Sequence, residues 1–153
     1  MPSQPLLAQA QDPSSTLRPR KDVPASHQWD LTKLYSDEAA WEKDLERYRA
    51  LAAKIPSFKG TLAGNAEALA AALVFLRDLG LVEERLACYA ALRESEDQGL
   101  SASRDRMARF MMCQAEAQTA WSYFDPEVQA IPDERMAGYL AHPALAEFTI
   151  WLR

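Results

Sequence analysis

The chain has 153 residues and carries 17 Lys and Arg against 22 Asp and Glu, a formal charge of −5. Ala and Leu supply 46 residues while Val, Ile and Thr together supply 12, a balance that favours helix, because buried strands draw on β-branched side chains. No basic patch suits nucleic acid or an anionic membrane surface, and no segment approaches the roughly twenty apolar residues of a membrane span. One domain, or most of one, fits this length. Cys88 and Cys113 fall in apparent helix interiors and read as buried free thiols rather than a disulfide pair. The N-terminus has neither a basic start nor an apolar run of signal length, so the expected compartment is the cytoplasm.

Five of the nine prolines, at positions 2, 5, 13, 19 and 24, fall within residues 1–28. Proline removes backbone donors and blocks helix, so this stretch is expected to be a flexible arm preceding a helical domain over 29–153. Ser36 is the expected cap of a first helix, with Asp37 and Glu38 in its first turn. Trp41, Leu45, Tyr48, Ala52 and Ile55 then recur at spacings of four and three, and Pro56 ends the stripe. The opposite face, with Glu42, Lys43, Glu46 and Arg47, reads as solvated.

A linker over Phe58–Leu62 leads to a helix starting near Asn65 and carrying Leu69, Leu73 and Leu76. Gly80 reads as a terminus or tight corner, after which Val82, Leu86, Tyr89 and Arg93 share a face. The polar run 94–99 is expected to be a loop. Ser101 or Ser103 should cap the next helix, placed over about 102–124, with Met107, Phe110, Cys113, Ala117, Trp121 and Phe124 inward. Asp125-Pro126-Glu127 reads as a restart, with Asp125 as cap, a proline at the first helical position and an acid in the first turn; Pro132-Asp133-Glu134 does the same, and Pro143 opens a last helix. In that helix Leu145, Phe148 and Leu152 form a stripe that no Gly, Asn or Pro closes, so the helical domain is expected to be truncated at its C-terminal end. The expected fold is all-α: an irregular bundle of four substantial helices and three shorter ones, the N-terminal portion of a larger helical protein.

Chemistry is hard to place on these residues. His27 and His142 are the only histidines, and neither has a second ligand at zinc spacing; His142, before Pro143, reads as a surface or cap residue. The five glycines form no phosphate loop, and no Gly-x-Ser-x-Gly elbow is present. Glu83-Glu84 and Glu94/Glu96/Asp97 are the densest carboxylates and lack the Glu-x-x-His pairs of a helical carboxylate site, so they read as a solvated face. Trp41, Tyr89, Trp121, Tyr123 and Phe124 lie on or near helix stripes and read as core. No catalytic, cofactor-binding or metal residue is assigned.

Ordered motifs nonetheless follow one another: Trp29-Asp30-Leu31-Thr32-Lys33-Leu34-Tyr35, Trp41-Glu42-Lys43-Asp44-Leu45, Phe58-Lys59-Gly60-x-Leu62, Tyr89-Ala90-x-Leu92-Arg93 with Asp97 beyond it, and Trp121-Ser122-Tyr123-Phe124-x-Pro126-Glu127. In this succession the chain resembles the N-terminal helical region of the oligoendopeptidase F family, thimet-like zinc metallopeptidases. The resemblance implies two helical lobes around a channel for short peptides. It also implies a zinc held by a His-Glu-x-x-His helix and a downstream Glu, none of which occurs here. Zn is thus a cofactor expected of a full-length enzyme and not of this chain.

The resemblance further implies a segment that helps to wall the channel, inactive alone, whose partners are a C-terminal catalytic region and, in the intact metalloendopeptidase, short peptide substrates. Neither nucleic acid nor membrane is an expected partner. The apolar end of the chain makes self-association expected at high protein concentration. The rival reading is a free-standing helical protein-interaction module.

Overall fold

The computed structural model describes residues 22–152. The arm expected over 1–28 lies outside these residues except for its last seven, where Ala25–His27 forms one 3-10 turn. Every regular element among the described residues is helical, giving an irregular all-α bundle. After a 3-10 turn at Leu31–Lys33 come α1 (Glu38–Ala52), a 3-10 turn at Ile55–Phe58, α2 (Ala66–Glu96) and α3 (Ser101–Trp121). Two short helices, α4 (Phe124–Gln129) and α5 (Asp133–Leu140), and a 3-10 segment at Pro143–Phe148 complete it.

In α1 the cap is Asp37 rather than Ser36. Asp37 has extended backbone angles and its Oδ1 accepts from the Ala40 amide at 2.8 Å. A carboxylate is the stronger acceptor at a positive helix end, and the Ser36 hydroxyl donates to its other oxygen. The stripe behaves as its period requires: Trp41, Leu45, Tyr48 and Ile55 are fully buried.

The expected break at Gly80 does not occur. α2 runs unbroken for 31 residues, capped by Asn65, whose Oδ1 accepts from the Ala68 amide at 2.7 Å. A mid-helix glycine costs only about 1 kcal/mol relative to Ala. Buried leucines and valines contribute about 1.5–3 kcal/mol each, and Leu73, Leu79 and Val82 are buried around Gly80. Packing therefore holds the helix through the glycine, and three substantial helices stand where four are expected. The polar run after Arg93 is also helical as far as Glu96.

α3 starts at Ser101 with Leu100 as its unassisted cap, so neither serine caps it; Ser103 is buried instead. It ends at Trp121, short of the expected 124. Pro126 would collide with the carbonyl four residues earlier in a continuous helix, so the chain turns at 122–123. α4 then begins at Phe124, two residues before the proline, whose missing N–H falls in a first turn where donors are unpaired anyway. Asp125 is thus inside α4 rather than its cap. Cys113 is buried, but Cys88 faces solvent from α2, against expectation.

Two apolar cores share α2. From Leu79 onward it contributes Leu79, Val82, Leu86 and Tyr89 to a core with Trp41, Leu45 and Tyr48 of α1 and Phe110, Cys113 and Ala117 of α3. Its N-terminal half contributes Ala66, Leu69, Ala70 and Leu73 to a second core with Leu62, Phe124, Ile131, Tyr139 and Leu145. The final stripe folds back onto this second core: Leu145 is fully buried and Phe148 and Leu152 pack against it. Ile150 and Trp151 remain exposed, at 91% and 56%.

Two glycines should respond oppositely to alanine. At Gly80 nothing lies within 4 Å of an added Cβ, so Gly80→Ala should stabilise by about 0.5–1 kcal/mol. Gly60 has φ +79°, where a Cβ is strained, and Gly60→Ala should cost about 1–2 kcal/mol. Urea denaturation of both variants checks the pair, and a destabilised Gly80→Ala would contradict the unbroken helix.

Candidate functional site

The motif residues take part in a scaffold of contacts between elements. Asp30 accepts from the Thr32 amide and hydroxyl and so closes the Leu31–Lys33 turn. Tyr35 donates to Asp44 at 2.9 Å, meets the Tyr89 ring edge-on at 5.3 Å, and lies under the Arg85 guanidinium, 4.3 Å from the ring centroid. Burial, then the hydrogen bond to Asp44, pushes the Tyr35 hydroxyl above its ordinary pKa. The fully buried Trp41 donates its indole N–H to the Leu86 carbonyl at 3.1 Å, joining α1 to α2. The left-handed turn at Gly60 aims its amide at Glu127 Oε1, 2.7 Å away, and Tyr123 donates to the Ile55 carbonyl at 2.7 Å. None of these contacts leaves a reactive group aimed at open space. Trp29 is exposed and Trp121 and Tyr123 are half-buried, whereas Trp41, Tyr89 and Phe124 are core as expected.

A second cluster escapes a reading by residue type. Arg106 of α3 is buried, and its guanidinium engages Glu38 at the head of α1 through two hydrogen bonds of 2.6 and 2.5 Å. The cation lies 5.9 Å from the Trp41 ring centroid and 5.8 Å from that of Tyr89. Its Nη1 is buried without a hydrogen-bond partner, while the two rings offer their faces to the cation. The signal was present: Ser103, Arg106, Phe110, Cys113 and Ala117 alternate at spacings of three and four. The face read as solvated on α1 also reaches across, since Arg109 donates to both oxygens of Glu42. This contact holds the Glu42 carboxyl below its usual range.

The carboxylates read as a solvated face divide. Glu84 is exposed, but Glu83 is half-buried and accepts from the Tyr48 hydroxyl at 2.6 Å and from Gln114 at 2.7 Å. Burial, then this contact with Glu83, raises the pKa of Tyr48. Glu96 turns inward and pairs with Arg93 at 3.0 Å. Glu83 borders a cleft of about 250 Å³ between the C-terminal ends of α3 and the middle of α2, lined also by Leu76, Leu79, Gln118, Trp121 and Asp125. This cleft is the candidate site.

Among the described residues no three His, Cys, Asp or Glu side chains converge in a group that could hold a metal ion, so the donor set does not fit zinc. His142 caps the Pro143–Phe148 segment, its Nδ1 accepting from the Ala144 amide, with Glu67 3.2 Å from Nε2. His27 ends an exposed 3-10 turn. No helix among the described residues is long and apolar enough to cross a membrane.

No protein-family model matches the chain. Comparison with curated proteins establishes distant homology to oligopeptidases of the oligoendopeptidase F kind. The chain is 25% identical over 127 residues to oligopeptidase PepF of Bacillus subtilis, covering 83% of this chain and 19% of that protein. It is 24% identical over 109 residues to the chromosomal oligoendopeptidase F of Lactococcus lactis, covering 71% and 18%. With group B oligopeptidase PepB of Streptococcus agalactiae the figures are 20% over 121 residues, 79% and 20%. The chain thus spans about a fifth of the length of these relatives. The crystal structure of a "putative peptidase from Chlamydophila abortus" shares the fold, with a TM-score of 0.81 at 23% identity over 90% of this chain and 23% of that one.

Two substitutions separate charge from packing at the buried pair. Glu38→Gln leaves the guanidinium without its anion and should cost about 1–3 kcal/mol, below the ~3–5 of a fully buried pair because Glu38 itself is 45% exposed. Arg106→Met removes both the charge and its desolvation and should cost less; the reverse order in urea denaturation would contradict this account. The Glu42–Arg109 pair contributes stability above the unfolded carboxylate's pKa of about 4.3, lost as pH falls through Glu42's lowered value. Glu42→Gln should therefore flatten the acid limb of the stability profile.

Proposed function

We propose that this chain is the N-terminal helical portion of a zinc metalloendopeptidase of the oligoendopeptidase F kind, cytoplasmic, which hydrolyses short oligopeptides. In that enzyme the segment helps to wall the substrate channel. The single observation carrying the reading is the homology spread over 83% of this chain yet only 19% of the PepF protein, in a chain whose motifs build scaffold. The zinc, its ligands and the general base belong on this reading to a catalytic region outside the chain, and the helical bundle supplies a rigid wall. No hydrolytic step is assigned to any residue here, since the donor set does not fit the metal.

The reading frame beyond codon 153 tests this proposal. Continuation into a helix bearing His-Glu-x-x-His supports it, whereas a stop codon there favours the free-standing interaction module. The purified chain should retain far less than stoichiometric zinc after dialysis and should not cleave short peptides. About one tightly held zinc per chain, lost in His142→Ala, would overturn the assignment of chemistry elsewhere.

Self-association belongs to the same proposal. The exposed Ile150 and Trp151 place apolar surface beside the second core, and such surface favours burial at about 25 cal/mol per Å². Sedimentation should show concentration-dependent association in the wild-type chain and less in Trp151→Glu. Two monomeric species over a wide concentration range would contradict it.

A further inference from the structure

The cleft between α2 and α3 differs from the other polar clusters in the balance of its charges. Around Arg106 the cations already have anions: Arg106 is paired with Glu38 and Arg93 with Glu96. The cleft has Glu83 and Asp125 on its walls and no Lys or Arg. Glu83 is held by neutral donors, the Tyr48 hydroxyl and the Gln114 amide, which orient the carboxylate without cancelling its charge. Asp125 is exposed, and among the described residues neither acid forms an ion pair.

The rest of the lining is a wall of Leu76, Leu79 and the half-buried Trp121. Drug-sized ligands occupy pockets of roughly 300–1,000 Å³; about 250 Å³ suits one long side chain instead. An apolar wall beside unneutralised carboxylates matches a side chain with an aliphatic stem and a cationic end. Arginine fits better than lysine, because its planar fork pairs with carboxylates and stacks on aromatic rings. We propose that this cleft is a docking site for an arginine side chain of a short peptide, its stem against Leu76, Leu79 and Trp121 and its guanidinium paired with Glu83 and Asp125. That the side chain is carried by a short peptide rests on the peptidase reading; the match of charge and apolar wall rests on the cleft's own residues.

The test is titration of the ¹⁵N-labelled 153-residue chain with acetyl-Ala-Arg-Ala-amide and with its citrulline counterpart, which keeps the shape and removes the charge. The arginine peptide should give saturable shifts at the amides of Leu76, Leu79 and Gln118 and at the Trp121 indole. The citrulline peptide should bind more weakly, on the order of fivefold or more. Asp125→Asn, at an exposed position outside both cores, should weaken arginine binding severalfold, as should raising salt to about 0.5 M. Glu83→Gln keeps an acceptor for Tyr48 and should weaken it further. Equal shifts from the two peptides would overturn the proposal, as would shifts confined to residues away from the cleft. Unchanged affinity in Asp125→Asn would also overturn it, whether or not Glu83→Gln folds.

Discussion

A helix of 31 residues is about 46 Å long, longer than either apolar core beside it needs. In this bundle α2 carries one core on each half, and neither core closes without it. α1 and α3 bury their stripes against its C-terminal half. The segment before α2, the short helices α4 and α5, and the Pro143–Phe148 turn close over its N-terminal half. A break at Gly80 would leave two small clusters, each with too little apolar surface to offset the entropy of ordering its chain. Continuity of α2 is therefore the constraint on which the remaining geometry rests.

Polar contacts fix how the other elements sit on that axis. The indole of Trp41 is tied to the Leu86 carbonyl, Arg85 donates to the Leu34 carbonyl, and Tyr48 reaches Glu83, so α1 and its leading turn register against α2. Gly60 and Glu127 join segments 67 residues apart, and Tyr123 holds the Ile55 turn. Trp41, Gly60, Tyr123 and Glu127, singled out by motif in the sequence, serve in these bonds as joints of the architecture. The cleft at Trp121 is where the bundle presents both carboxylates and apolar surface.

What the sequence made legible follows local periodicity. The α1 stripe emerged because every third or fourth residue is large and apolar, and α5 because Pro132-Asp133-Glu134 marks its start without competing signals. Gly80 was misleading because a glycine is a local cue while its neighbours' burial is a tertiary fact. Arg106 and Glu83 were hidden for the opposite reason: residue type says surface, while their spacing on the apolar stripes says interior. Period deserved more weight than polarity there. The Gly60–Glu127 bond lay beyond any periodic reading, since nothing local links a turn to a carboxylate 67 positions away.

Native-state hydrogen exchange across residues 77–83 distinguishes a continuous α2 from one broken at Gly80. An unbroken α2 shared by two cores predicts that these amides exchange only through global unfolding, with the same free energy as amides near Leu69 and Leu86, and that both cores unfold in one transition. Rapid exchange around Gly80, with the two halves of α2 unfolding at separate denaturant concentrations, would contradict it.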